Sequence, residues 1–476
     1  MEMAVRGRPR PPAAVPGDLL FRTAQIAVGW LQSLDRRPVA ASATVDELRS
    51  RLGGALPASP VDPLVVVEEL ARAAEPGLVG IPSGRYFGFV IGGGLPAAVA
   101  ADWLTSVWDQ CPGFYACGPA ASIVEEVTGA WLRQLLGLPE HASFAFVTGC
   151  QMAHVTCLAA ARHHILQKVG WDVEELGLSG SPPIQVVVSA RRHVSIDRAL
   201  RFLGIGRASL RVVPADGSAR IQVPRLREEL AAGGAPAIIC AQAGEINTGS
   251  FDDLDDIADA AAETGAWLHI DGAFGLWAAA SPALRHLVMG ADRADSWACD
   301  THKWLNVPYD SGLAFCAHPD SHLAAMTATA GYLIQGGPGQ PRDAMDWTPA
   351  FSRRARGFAV YAALRSLGQR GVAELVERTC AHARTFAEGL ASIPGCQLLN
   401  EVVINQVLFR FADDQTTDLV LRHVVDSGEA WMSGTTVDGR RAIRLSVSNW
   451  QTSDSDIARA LEAFRNAVTG QLRYYE

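Results

Sequence analysis

Four polar points interrupt an otherwise apolar half of this sequence, and each carries a group capable of chemistry. Lys303 stands between His302 and Trp304 in DTHKWLNVPYDSG (300–312), directly after the apolar run SWAC. A lysine on a solvated loop is ordinary, snorkelling its amine into water. A partly desolvated amine beside other cationic groups instead has a lowered pKa, attacks carbonyl carbon and forms a Schiff base. Asp271 follows WLHI and precedes Gly272. It either caps a loop just past a strand, or is buried and needs a partner such as a protonated pyridine nitrogen. That pairing would keep the ring cationic and able to accept electrons. Thr148, Gly149, Cys150 and Gln151 join an apolar run to a helical stretch. This is either an ordinary capped turn or a phosphate site made of free N–H groups and a helix dipole; it is not a Walker or dinucleotide glycine pattern. His193, in RRHVSIDRAL, either starts a helix or offers an aromatic face to a flat cofactor.

These residues share a context. From residue 143 onward, short apolar runs at 143–147, 184–190, 237–243, 266–273, 296–300 and 312–317 alternate with helical segments. That alternation marks strand–helix–strand units and a large α/β domain whose parallel strands are buried on both faces. Ligands of such sheets gather at the carboxyl ends of the strands, where Thr148–Gln151, His193, Asp271 and His302–Lys303 all fall. Upstream, LFRTAQIAVGWLQSL (20–34) is the clearest amphipathic helix, and its apolar stripe needs a partner surface. Beyond residue 341, helices, alternating strands and a last helix predict a smaller α+β domain, and there is no internal repeat.

The 476 residues amount to about three domains' worth of chain, or one large domain with additions. With 49% hydrophobic and 19% charged residues the composition is that of a soluble globular protein. A net charge of −9 spread over mixed acids and bases argues against nucleic acid or an anionic membrane as partner. No apolar run approaches the roughly 20 residues of a membrane helix, and the N-terminus lacks the apolar core of a signal peptide. The Pro- and Arg-rich opening reads as a flexible tail. Nine cysteines without CxxC spacing predict reduced thiols in a cytoplasmic protein, with no disulfide framework and no metal site.

TGCQMAH, RRHVSIDRALRFLG, HIDGAFG and above all DTHKWLNVPYDSG resemble the pyridoxal 5'-phosphate-dependent group II amino-acid decarboxylases. That family includes aromatic amino-acid, glutamate and diaminobutyrate decarboxylases, and the resemblance, to a bacterial-type member, runs from SGRYFGFV near 83 to RLSVSNW near 450. It implies a fold type I enzyme: a large domain with a mostly parallel sheet between helices, and a smaller α+β C-terminal domain. The implied division is a tail (1–16), an N-terminal helical dimerisation segment (17–85), a cofactor-binding domain (86–345) and a C-terminal domain (346–476). Lys303 resembles the Schiff-base lysine, Asp271 the partner of the pyridinium nitrogen, and His193 the histidine that stacks on the ring and assists proton transfer. Thr148, Gly149, Cys150 and Gln151 match the phosphate loop, where the family usually has small or hydroxyl residues, so that backbone N–H groups carry the contact. Asp300 and His302 match neighbours of the phosphate and the lysine, and Ala273 a small residue beneath the cofactor. A homodimer with active sites at its interface is implied, the N-terminal helices crossing to the partner.

The implied reaction removes the carboxylate of an L-amino acid, after which Lys303 returns and the amine is released. The resemblance assigns Phe87, Phe89 and Trp108 to a substrate pocket, although plain core packing accounts for each equally well. These aromatics tilt the substrate toward a bulky or aromatic amino acid. Arg444, Arg353 and Arg354 are candidate carboxylate contacts or, alternatively, surface pairs. One departure stands out: Ala344 occupies the place of the family's loop tyrosine, and Tyr332 matches a different tyrosine. That loss is compatible with another proton donor such as His193, or with an oxygen-consuming branch that yields an aldehyde. Transamination and a non-catalytic binding role are further alternatives, and the joint presence of Lys303, Asp271 and His193 argues against the last.

Overall fold

The computed structural model describes residues 17–234, 236–328 and 341–472. The tail at 1–16, Tyr332 and the start of the loop at 336–340 lie outside the described residues. The chain opens with α1 (Gly17–Ser33), α2 (Val45–Leu52) and α3 (Pro63–Ala74). Thr44 and Glu47 form a capping box that starts α2, while Asp62 and the proline at the first position start α3. α1 lies along α3, tied by the Arg22–Glu68 pair at 2.6 Å, and buries none of its own residues.

Two helices, α4 (Pro96–Trp108) and α5 (Pro119–Leu135), lead into the large domain. There β1 (Ser143–Val147), α6 (Cys150–Gln167), α7 (Val173–Leu176), β2 (Gln185–Ser189), α8 (Val194–Phe202) and β3 (Leu210–Val213) follow in turn. Next come α9 (Val223–Gly233), β4 (Ala237–Gln242), α10 (Leu254–Thr264), β5 (Trp267–Asp271), β6 (Ser296–Asp300), β7 (Gly312–Cys316) and α11 (Pro319–Met326). The sheet order is β1-β7-β6-β5-β4-β2-β3. Strands β3, β2, β4, β5 and β6 pair in parallel, whereas β7 runs antiparallel to both β6 and β1. β1, β2, β5, β6 and β7 are buried at every position, as a sheet covered on both faces requires. All six apolar runs read from the sequence are strands of this sheet; β3, whose central residues are exposed, is an addition.

The two helical stretches read after residue 350 are one helix, α12 (Gly357–Ala391), kinked where Gly368 adopts a φ of 61°. After it come β8 (Gln397–Leu398), β9 (Gln406–Arg410), α13 (Asp414–Asp426), β10 (Ser433–Val437), β11 (Arg440–Ser446) and α14 (Asp454–Leu472). Their strands form an antiparallel sheet in the order β10-β11-β9-β8, over a core that includes Phe386, Phe409 and Phe464. The expected border between residues 85 and 86 runs through a segment that belongs with this small sheet. Phe87 accepts a backbone bond from Ser446 N–H at 2.8 Å and donates one to the Trp431 carbonyl at 2.7 Å. The Arg85 guanidinium donates to carbonyls of both the N-terminal segment (Leu34, Asp35, Arg37) and the small domain (Gly428, Glu429). The expectation that Phe87 lines a substrate pocket is corrected here. Its ring is fully buried in the small-domain core, edge-on to Phe386 at 5.2 Å.

Candidate active site

The carboxyl ends of β1, β2, β4, β5 and β6 converge on one cavity of 470 Å³. Thr148, Gly149, Cys150, Gln151, His193, Asp271, Ala273, Asp300, His302 and Lys303 all line it. Close backbone approach builds its corner: a Cβ on Gly312, at the start of β7, would sit 2.5 Å from the Gly149 Cα. Glycine is therefore required where DTHKWLNVPYDSG turns back into the sheet.

Lys303 follows β6 by three residues and is locked by what comes next. Trp304 is buried and donates from Nε1 to the Thr379 hydroxyl on α12 at 2.8 Å. Asn306 takes a left-handed φ of 58°, which asparagine tolerates, and its amide donates to the carbonyls of Trp304 and Ser448. The Lys303 amine lies 3.2 Å from the Asp300 carboxylate. Its surroundings correct the expectation of cationic neighbours and a lowered pKa. Burial alone would lower the amine, but the Asp300 and Asp271 carboxylates outweigh it and push Lys303 up to about 12. The other oxygen of Asp300 accepts the Cys150 N–H at 2.6 Å, so a carboxylate already caps the start of α6. The Gln151 N–H and the Thr148 hydroxyl are the donors left at that end for an anion.

Asp271 closes β5 on the cavity floor. Burial pushes its carboxyl up, yet His154, then His193 and Lys303, hold it below the usual carboxylate range. It is ionised, with His154 Nε2 3.5 Å away. His193 caps α8: its Nδ1 accepts the Ser195 N–H at 3.3 Å, which leaves the proton of the neutral ring on Nε2. Burial first, and Lys303 beside it, push this ring below its ordinary pKa against the pull of Asp271. His302 donates from Nδ1 to the Ser311 carbonyl at 2.8 Å and is stacked at 4.3 Å by Tyr309.

Sequence reasoning missed three residues. Gln242, the polar end of the apolar run AIICAQ, lines the cavity with a buried Nε2 that has no hydrogen-bond partner. Tyr309 sat in the motif itself, and His154 was masked by the apolar helix that carries it. Other expected contacts lie elsewhere. Phe89 and Trp108 are half-exposed and off the cavity wall, packed on Trp431 and Phe358 respectively. Arg444 is buried and donates to the carbonyl of Ile246, a cavity residue, at 3.2 Å. Arg353 is bound to Glu125 and the Phe146 carbonyl, and Arg354 to Asp102, so neither is free for a substrate. Ala344 is buried at the start of a short turn of 3₁₀ helix.

Residues 47–412 match the model of the pyridoxal-dependent decarboxylase conserved domain. The chain belongs to the pyridoxal-dependent decarboxylase family. Among its relatives, an aromatic-L-amino-acid decarboxylase of Bacillus atrophaeus is 25% identical over 453 residues, 92% of each chain. An acidic amino acid decarboxylase of Bos taurus is 30% identical over 73% of this chain and 66% of its own. The decarboxylase also shares its fold with the crystal structure of Oryza sativa TDC with PLP and tryptamine, at a TM-score of 0.90, 23% identity and coverage of 97% and 99% of the two chains. It is thus a pyridoxal phosphate-dependent amino-acid decarboxylase of fold type I, and its cavity suits that cofactor. An amine able to condense with the aldehyde, an ionised carboxylate for the ring nitrogen, an unpartnered amide donor in Gln242, and the Gln151 N–H with the Thr148 hydroxyl for the phosphate all open onto one space.

Proposed function

We propose that the decarboxylase removes the α-carboxylate of a bulky or aromatic L-amino acid, releasing carbon dioxide and the amine, with Lys303 as the covalent anchor of the cofactor. One observation carries this reading: Lys303, Asp271, His193 and the start of α6 surround a single cavity. Bound pyridoxal phosphate supplies the electron sink for the pair left behind when the carboxylate departs. Asp271 would pair with the ring nitrogen and keep it protonated. The Thr148–Gln151 turn and His302 would hold the phosphate, Ala273 would leave room for the ring, and His193 would cover it. Lys303 would anchor the cofactor through its amine, and Asp300, 3.2 Å away, would take up the proton that the amine gives up. His193 carries its proton on Nε2 and returns it to Cα, the role left open by Ala344. Arg444 orients the substrate carboxylate from its place beside Ile246.

An aromatic cluster off the cavity wall, close to Arg444, favours the aromatic substrate. Tyr86 stacks on Trp431 at 5.0 Å, with Phe89 tilted against the same indole at 5.4 Å. Burial pushes the Tyr86 hydroxyl up, and the nearby Arg444 guanidinium pulls against it. Relatives named tryptophan decarboxylases in Oryza sativa and Camptotheca acuminata favour the same class over the acidic substrates of the Bos taurus relative. The aldehyde-forming branch has one observation in its favour, the hydroxyl-free Ala344, and one relative so named, a phenylacetaldehyde synthase of Petunia hybrida. A panel of amino acids incubated with the holoenzyme, with and without oxygen, decides by mass spectrometry. Amine from an aromatic substrate is expected; aldehyde and ammonia that require oxygen would establish the other branch, and no turnover would end the proposal.

The unit of function is a homodimer in the cytoplasm, with residues 17–85 crossing to the partner, 86–345 holding the cofactor and 346–476 closing over it. Support comes from α1, whose apolar residues stay exposed, from the groove it forms with α3, and from the nine cysteines, none of which is in a disulfide. No described helix is long and apolar enough to cross a membrane.

A further inference from the structure

Behind Asp271 lies a line of buried polar side chains that the mechanism above does not use. His154 comes from α6, one turn after Cys150, and its Nε2 is 3.5 Å from both the Asp271 carboxylate and the Cys150 thiol. Its Nδ1 meets His269 Nε2 at 2.9 Å, and His269 Nδ1 meets the Ser296 hydroxyl at 2.9 Å. Ser296 in turn accepts the Trp267 indole N–H at 2.9 Å. His154, His269 and Ser296 have no exposed surface. Neighbouring positions of α6 are filled by Ala153, Ala159, Ala160 and Ala161, so two imidazoles here replace what an apolar core would supply at no desolvation cost. Such groups persist when every nitrogen is bonded, and here each one is.

We propose that His154 is a positioning residue for the cofactor: its Nε2–H, backed by His269, Ser296 and Trp267, fixes the Asp271 carboxylate as the partner of the ring nitrogen. Asp271 is the only anion in the line, so donors run toward it. His154 is also the largest of the influences that hold this buried carboxyl ionised, ahead of His193 and Lys303. The inference rests on the reading above that Asp271 meets the ring nitrogen.

Two cofactors separate the two ideas: pyridoxal phosphate and its 1-deaza analogue, in which carbon replaces the ring nitrogen. Titrated into the full-length apo-protein, the natural cofactor should bind about tenfold or more tighter, the worth of a hydrogen bond to a charged group. His154→Leu should lose that preference, and His154→Gln, which keeps an N–H at similar reach, should retain part of it. A wild-type protein with no preference would overturn the Asp271 reading itself. A wild-type preference that His154→Leu keeps in full, including equal weakening of both cofactors, would overturn the role of His154 alone. If the leucine variant does not fold, the glutamine variant and ¹⁵N NMR of histidine-labelled wild-type apo-protein decide. A protonated His154 Nε2 is expected; a bare Nε2 accepting from the Cys150 thiol refutes the proposal.

Discussion

The floor of the cavity and the outer face of the N-terminal region are built on opposite physical terms. On the floor Asp271, Asp300, His154, His269 and Ser296 are buried, and chain atoms already meet their polar groups. Along α1, α3 and α4 apolar side chains face outward, with Phe21 74% and Val107 62% exposed. One copy of the chain thus carries preorganised electrostatics for the cofactor, which cost no reorganisation when the reaction occurs. Its N-terminal flank leaves apolar side chains in contact with solvent.

That contrast can be broken in order of expected effect. Asp271→Asn keeps the shape of the floor and removes its charge; kcat/KM should fall about 10³-fold or more while the dimer mass is unchanged. A loss of only a few-fold would mean the floor's charge is not used. Phe87→Ala should destabilise the protein by about 3 kcal/mol in urea titration, because it empties a core site. The same change at half-exposed Phe89 should cost little stability. Phe21→Asp on α1 should weaken dimerisation about 30-fold in sedimentation without altering helix content. Unchanged dimerisation would place the interface elsewhere.

The smallest effect concerns pH. Burial holds His269 at about 3, against 6.5 for the unperturbed ring. The unfolded chain therefore binds a proton that the folded floor refuses. This contribution to stability is fully present above pH 6.5 and is lost as pH falls toward 3. It should amount to about tenfold in the folding constant at pH 5.5, read from urea midpoints, and His269→Leu should flatten that part of the profile.

What the sequence revealed followed from how strongly burial constrains composition. Runs such as SWACD and WLHID are strands because a sheet covered on both faces admits mostly apolar residues, and the polar carboxyl ends of those runs marked the cavity. β3 escaped because LRVV exposes its middle residues at the sheet edge. The antiparallel course of β7 escaped because apolar content does not encode direction. Phe87 and Phe89 look alike in RYFGFV, and only the pairing of this segment with Trp431 and Ser446 sends one ring into the core and leaves the other outside. His154 looked like part of a buried helix because the partner that gives it meaning, Asp271, is more than a hundred residues away. The expected acidity of the lysine failed because Asp300, three residues before it in the motif, turns its carboxylate onto the amine, and Asp271 joins it once the strands are aligned.

The sequence contains two lysines, Lys303 and the exposed Lys168. Borohydride reduction of the holoenzyme, followed by peptide mass mapping, therefore tests the central claim with a two-way choice. The account predicts a single pyridoxyl adduct on the peptide that carries Lys303. An adduct on Lys168, or a holoenzyme that yields none, would contradict it.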